Sequence, residues 1–291
     1  MEIKTSHKLV RRIKDDLFDE EQLDRYNLTI LVGSRDLQIA ASDAVTGKFL
    51  LLEDHVFPES SAEGSNEATL RHLFDSHHLL QAGFWNEVVI GIKNSHFTQV
   101  PAGLFDASVA KELLELNTAL DPNPTIFWNT PESSDVTTVF SIPNNLYSWL
   151  GTYYRKKEVR FVHHSAALLT GVSSIHQGDA RIYAFIDRFR FHLIAMDGNT
   201  LKYYNQFQIK QFSDYTRYLL LVINQMGFSQ LHGQVTLHGF VGKDSPHFQE
   251  LKRYIRTLEL GKRPLSGPWS PAFDEIQDHQ FFDIFAMPLT R

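Results

Sequence analysis

The residues with the most chemical potential in this chain are its histidines, its carboxylates and a few glycine-bearing turns. Fourteen histidines include two adjacent pairs, His77-His78 and His163-His164. Neighbouring side chains diverge on a helix or a strand, and no HExxH helix is present, so no metal site is expected. The chain has no cysteine, which removes thiolate ligands, disulfides and a thiol nucleophile, and fits a reducing cytoplasm. A serine hydrolase would need G-x-S-x-G on a strand-to-helix turn; a phosphate or dinucleotide loop would need GxxxxGKS or GxGxxG. None of these occurs. Gly33-Ser34-Arg35-Asp36 has the composition of a turn, with Asp36 as a turn-favouring acid. Tyr203 to Phe207 could stack bases, but aromatics on a strand usually pack a sheet.

The elements that must hold these residues are legible. With 43% hydrophobic residues in 291, the chain can bury a sizeable core, and its length suits two domains or one bilobed unit. No apolar run reaches the roughly 18 residues of a membrane span. The start has cations but no apolar stretch, so no secretory signal is expected. A net charge of −6 speaks against nucleic acid as a partner. Residues 1–25, a basic block followed by an acidic one, read as a solvated lead-in.

Residues 28–32, 37–42 and 49–52 then form a strand meander, with turns between them. Asn66 can cap a helix carrying Leu70, Leu73, Phe74 and His77, which Gly83 stops. Residues 87–92 (EVVIGI) are a buried strand and 106–117 a helix. Residues 126–128 and 136–142 read as strands, 144–155 as a helix, 159–162 as a strand and 165–172 as a short apolar helix. After 176–179 the grammar repeats. Strands 181–186, 189–196 and 201–207 precede a helix with Tyr215, Leu219, Val222 and Met226 on one stripe, capped by Ser213. A strand at 234–241 and a helix opened by Pro246 follow. Even the helix-ending phrases match: Gln81-Ala82-Gly83-Phe84 before one strand, Gln225-Met226-Gly227-Phe228 before the other. The order implies internal duplication.

This doubled pattern resembles the actin-like ATPase superfamily of actin, heat-shock chaperone ATPases and sugar kinases, a ribonuclease H-like α/β fold in two lobes. The phrases YNLTILV, VRFVHHSAALLTGV and HQFFDIFAMPL look like an uncharacterised bacterial family of this fold. The resemblance implies a first lobe at 26–177 with an insertion around 122–157, and a second lobe at 178–291 with a C-terminal return segment. It also implies a nucleotide cleft, and the cofactor-binding candidates Gly33, Ser34, Asp187, Arg188 and Gly239 come from it. In such clefts glycines admit phosphate oxygens to backbone N–H groups, and a carboxylate holds hydrated Mg²⁺.

The match departs from the family at each loop. Leu31 stands where the first hairpin carries an acid. In the second hairpin Asp187 matches the family acid, but Phe189 and Arg190 occupy glycine places. Phe240 replaces the second adenosine-loop glycine after Gly239. Arg188 and Arg190 either reach phosphate by guanidinium or form the polar side of an alternating strand. Ala166 and Ala167 would permit close packing in an interlobe crossing helix. The expected function is therefore a cytoplasmic, non-catalytic interaction or scaffold protein, a pseudo-ATPase with a protein partner, no catalytic residue and no cofactor. The competing expectation is a divergent Mg-ATP-dependent ATPase or small-molecule kinase using Asp187 and the Gly33-Ser34 turn.

Overall fold

The computed structural model describes residues 7–58, 65–132, 134–155, 157–188, 190–228 and 234–291. Four strands open the chain: β1 (Lys8–Lys14), β2 (Tyr26–Val32), β3 (Asp36–Asp43) and β4 (Phe49–Val56). They are followed by α1 (Ser65–Ser76), α2 (His78–Gln81) and β5 (Glu87–Ile92). An insertion contributes β6 (Phe97–Pro101), α3 (Ala110–Glu115), β7 (Pro124–Asn129), β8 (Val136–Pro143) and α4 (Asn144–Tyr153). β9 (Val159–His163) and α5 (His164–Ile175) complete the first half. The second half runs through β10 (Arg181–Ile186), β11 (Arg190–Asp197), β12 (Thr200–Gln208), α6 (Ser213–Gln225), β13 (Gln234–Gly239), α7 (Pro246–Lys252), β14 (Leu258–Leu260) and α8 (Phe282–Ala286).

The duplication is visible in the pairing. One sheet has the order β1-β4-β3-β2-β5-β9 and the other β12-β11-β10-β13-β14. With β1 set aside, the two orders correspond strand for strand. β2 pairs antiparallel with β3 and parallel with β5, as β10 does with β11 and β13. A third sheet, β6-β8-β7, belongs to the insertion. The insertion therefore begins earlier than residue 122, because β6 at Phe97–Pro101 pairs antiparallel with β8.

Residues 1–25 are not simply a lead-in. β1 adds an edge to the first sheet by pairing with β4, and of its seven residues only Ile13 is buried. Lysines and arginines on an exposed edge discourage further strand addition, which accounts for the basic block. Two capping expectations also change. Asn66 lies inside α1. Ser213 is the first residue of α6 and Phe212 takes the cap position without a side-chain bond; the Asp214 carboxylate accepts from the Lys210 and Gln211 N–H groups at 3.0 and 3.1 Å. Gly227 follows α6 with φ +69, whereas Gly83 is not in the left-handed region and the chain leaves α2 through extended Ala82. The predicted strand start at Phe189 and the loop at 59–64 lie outside the described residues.

Three large apolar clusters hold the described residues, beside a small one of Ala110, Leu114 and Val139 in the insertion. One lies under α1, α2 and α4 in the first half, and one under α6 and α7 in the second. The third joins the halves: Leu31, Val89 and Val162 of the first sheet meet Tyr183, Phe185 and Ile194 of the second across α5 and α8. Every residue of α5 from His164 to Val172 is buried, as expected of a helix apolar on all sides. Ala166 and Ala167 lie in this shared core, as their small size implied.

Buried imidazoles make the fold acid-sensitive. Burial holds His163, His192 and His238 below the ordinary histidine pKa, with His164 adding to the effect on the first two and His279 on the third; His238 falls to about 3. An unfolded histidine binds a proton near pH 6.5, while these stay neutral in the folded chain. Below pH 6.5 the unfolded state thus binds more protons, and stability falls with pH by up to about 1.4 kcal/mol per unit for each. Urea unfolding should show stability declining from pH 6.5 toward 4.5, and more gently in His238→Phe, whose ring can keep the stacking on Phe185 and the edge contact with Phe282. Identical slopes for the two proteins would refute this account.

Candidate functional site

The β2–β3 turn is built by a short-range fold-back. Gly33 N–H donates to the Asp36 carbonyl at 2.9 Å. The Asp36 carboxylate bends over Gly33 so closely that a Cβ there would collide with Oδ1, so the position demands glycine. Leu31 points into the core between the lobes. Asp36, which is 1% exposed, thus brings a carboxylate to this turn from the opposite strand, and its role is more than turn formation.

Lys93 follows β5, its N–H donating to the Val32 carbonyl at 2.8 Å. Its ammonium reaches Asp36 Oδ2 at 2.9 Å, Asp187 Oδ2 at 3.4 Å and Asp283 Oδ2 at 3.5 Å. The Lys93 side chain is 5% exposed. Asp187 comes from the β10–β11 turn, where its N–H donates to the Arg190 carbonyl at 3.0 Å and its Oδ1 accepts from Arg188 N–H at 2.7 Å. Asp283 is supplied by α8 and is held also by His164 Nε2 at 3.0 Å. Arg188 crosses to the first lobe, where both terminal nitrogens engage the Asp54 carboxylate, Nη1 at 2.8 Å from Oδ1. Its guanidinium lies over the Phe240 ring, 4.0 Å from the centroid.

Lys93 and Arg188 form ion pairs here with four carboxylates, Asp36, Asp54, Asp187 and Asp283, and the Arg190 guanidinium adds a third positive charge near Asp187 and Asp36. Burial alone would lower the Lys93 pKa, but Asp187, Asp36 and Asp283 outweigh it and hold it raised. Burial pushes Asp283 upward, yet Lys93 and His164 keep it well below the usual carboxylate range. Asp36 moves the other way: burial, the largest influence, raises it and Asp187 adds to the rise, against the downward pull of Lys93 and Arg188.

The stretch after β13 is spoken for by the backbone. Gly239 has φ +95, and a Cβ there would strike the Ile186 carbonyl. Its N–H donates to the His279 carbonyl at 2.7 Å, Phe240 N–H donates to Ile186 at 3.0 Å, and Val241 N–H donates to Gly239 at 2.9 Å. The space between Asp187, Gly239, Phe240 and Asp283 is a cavity of about 20 Å³. A larger cavity of about 400 Å³ lies on the first-lobe side, lined by Gly33, Ser34, Glu67, Lys93, His96 and Asn145 among others.

Of the five residues expected from sequence, Asp187 and Arg188 enter one interlobe ion-pair network, Gly33 supports it through Asp36, and Gly239 borders it. Ser34 is exposed at the turn tip. Arg188 forms an interlobe ion pair, a role that neither expectation for it included. Phe189 lies outside the described residues. Lys93, Asp54, His164 and Asp283 were missed. The one available signal was an isolated lysine directly after the apolar run EVVIGI.

A model of a protein family of unknown function, DUF3822, matches residues 15–258. The chain belongs to that family. A Bacteroides thetaiotaomicron protein, described as having an actin-like ATPase fold and unknown function, superposes with a TM-score of 0.77 at 20% identity, covering 94% of this chain and 100% of that one. The PilM–PilN type IV pilus biogenesis complex contains a chain with a TM-score of 0.57 at 13% identity, covering 90% and 97%. No curated protein sequence matches the chain. The fold is the actin-like, two-lobed α/β architecture. No described helix is long and apolar enough to cross a membrane.

Removing the shared cation should be costly, because it strands buried carboxylates. Lys93→Met is expected to lose about 3–5 kcal/mol of stability, the usual cost of breaking a buried pair from one side. Urea unfolding measures this; a loss below about 1 kcal/mol would show that the network contributes little.

Proposed function

We propose that this protein is a cytoplasmic, non-catalytic interaction or scaffold protein that uses the actin-like fold without hydrolysing ATP, and that its partner is another protein. The observation that carries this reading is the Lys93 ammonium lying among Asp36, Asp187 and Asp283. In the superfamily the chain resembles, hydrated Mg²⁺ is held by carboxylates at this position. A lysine supplies the positive charge from within the chain, so the acids no longer need a metal. The residues do not fit Mg-ATP in two further respects. The N–H groups of Gly239 and Phe240 are already donated to backbone carbonyls, and the neighbouring cavity of about 20 Å³ has the size of one water.

A partner protein is supported less directly. The lobes are joined by an apolar core and by Arg188–Asp54, so the architecture persists without a ligand to close it. The PilM–PilN structure is a protein complex, an instance of this fold serving assembly. The second reading, a divergent ATPase or kinase, is favoured by one observation: three carboxylates from different elements still converge at the hairpins.

Nucleotide titration separates the two. A ligand at about 100 times its dissociation constant stabilises a protein by about 2.7 kcal/mol, and each kcal/mol moves the melting midpoint by roughly 2–4 °C at this size. Millimolar Mg-ATP is expected to give no resolvable shift and no phosphate release. A magnesium-dependent shift that disappears in Asp187→Ala would overturn the proposal in favour of the ATPase.

A further inference from the structure

On β4 the side chains of Glu53 and His55 share one face, because residues two apart on a strand point the same way. That face is covered by α1, and His77 follows its last turn. Glu53 Oε2 lies 3.2 Å from His55 Nε2 and 2.7 Å from His77 Nε2. One ligand atom from each of the three residues lies within 4.8 Å of the other two. Glu53 and His55 are almost wholly buried, at 2% and 3% side-chain exposure, and His77 is at 13%. The His7 ring sits 5.3 Å from that of His55, centroid to centroid. The other Glu53 oxygen, Oε1, is 3.0 Å from Arg12 Nε on β1.

We propose that Glu53, His55 and His77 form a binding site for a single divalent transition metal of the zinc class, with water or His7 as the fourth donor. Two imidazole nitrogens and one carboxylate oxygen are a donor set that suits zinc. Donors bonded tetrahedrally at about 2.0–2.1 Å stand roughly 3.3 Å apart, close to the 3.2 Å between Glu53 and His55, while the 2.7 Å to His77 would have to lengthen on binding. Arg12 leaves Oε2 available while fixing Oε1, the supporting contact that orients a monodentate carboxylate.

The unpartnered nitrogens are the second observation. His55 Nδ1 and His77 Nδ1 are both buried without a hydrogen-bond partner. Coordination through Nε2 requires the proton to sit on Nδ1. Neither Nδ1 accepts a bond, so moving the proton there breaks none at that nitrogen, and each Nδ1–H then awaits an acceptor such as water. A metal would then exchange two hydrogen bonds to Glu53 for coordination, and would tie together β4, the end of α1 and, through Arg12, the β1 edge. The alternative is a hydrogen-bonded triad that binds nothing.

Zinc alone, titrated into the full-length chain after chelator treatment, distinguishes these. One equivalent is expected to bind, raising the melting midpoint, with four-coordinate visible bands when Co²⁺ replaces Zn²⁺. His77→Ala should weaken binding at least about 100-fold, beyond the roughly 10–100-fold cost of losing a supporting group. His78→Ala, altering the exposed neighbour, should leave binding intact. Failure of the unaltered chain to take up zinc, or uptake persisting in His77→Ala, overturns the proposal. If His77→Ala does not fold, diethyl pyrocarbonate modification of the unaltered protein decides: zinc must protect His77, and full labelling of His77 in zinc refutes the site.

Discussion

One buried ammonium links the halves of this molecule. Lys93 belongs to the first lobe, Asp187 to the second, and Asp283 to the helix that returns between them. Charges so little exposed interact through a medium far less polarisable than water, so each separation between them matters. Desolvation makes such a cluster an uncertain source of net stability. Its more dependable effect is selection, because a different lobe arrangement would leave an ammonium or several carboxylates buried alone. The apolar core around α5 and α8 supplies cohesion, and the ion pairs choose which closed arrangement it holds.

This division fits the proposal that the chain uses the actin-like framework without nucleotide. An actin-like cleft that opens and closes around nucleotide needs backbone N–H groups and carboxylates left unsatisfied until ligand arrives. Here the β10–β13 junction satisfies its own amides, and the acids have an internal cation. Asp36 illustrates the rearrangement well. Leu31 has joined the interlobe core, and a carboxylate from the next strand folds over Gly33 to occupy the turn. The carboxylate at this hairpin is paired with a lysine.

The fold was legible because its signals are local. Apolar runs, helical stripes and Gly or Pro stops each span a few residues, and their repetition revealed the duplicated order. The errors share a physical cause. β1 has one buried residue and no alternation, so only its pairing with β4 makes it a strand. The residues 97–101 that form β6 end in proline and owe their place to β8. The ion-pair network was least visible: Lys93 meets Asp36 and Asp187 from 57 and 94 residues away, and such separations leave no periodic trace. Resemblance drew attention to Asp187 and Arg188 at the β10–β11 turn, but not to the partners of their side chains.

The end of β4 brings the two polar centres into contact through strand geometry alone. Glu53 and His55 face α1, while Asp54, between them, faces the second lobe and receives Arg188. Alternation of side chains lets three consecutive polar residues, all at most 3% exposed, serve two clusters on opposite sides of one sheet. Each cluster limits the register of the other, since a one-residue slip of β4 would turn Asp54 toward His77, and Glu53 and His55 toward Arg188. The result is a strand whose polar residues are as strongly specified as its apolar ones. That explains how a six-stranded sheet can carry buried charge at its rim without losing a unique pairing.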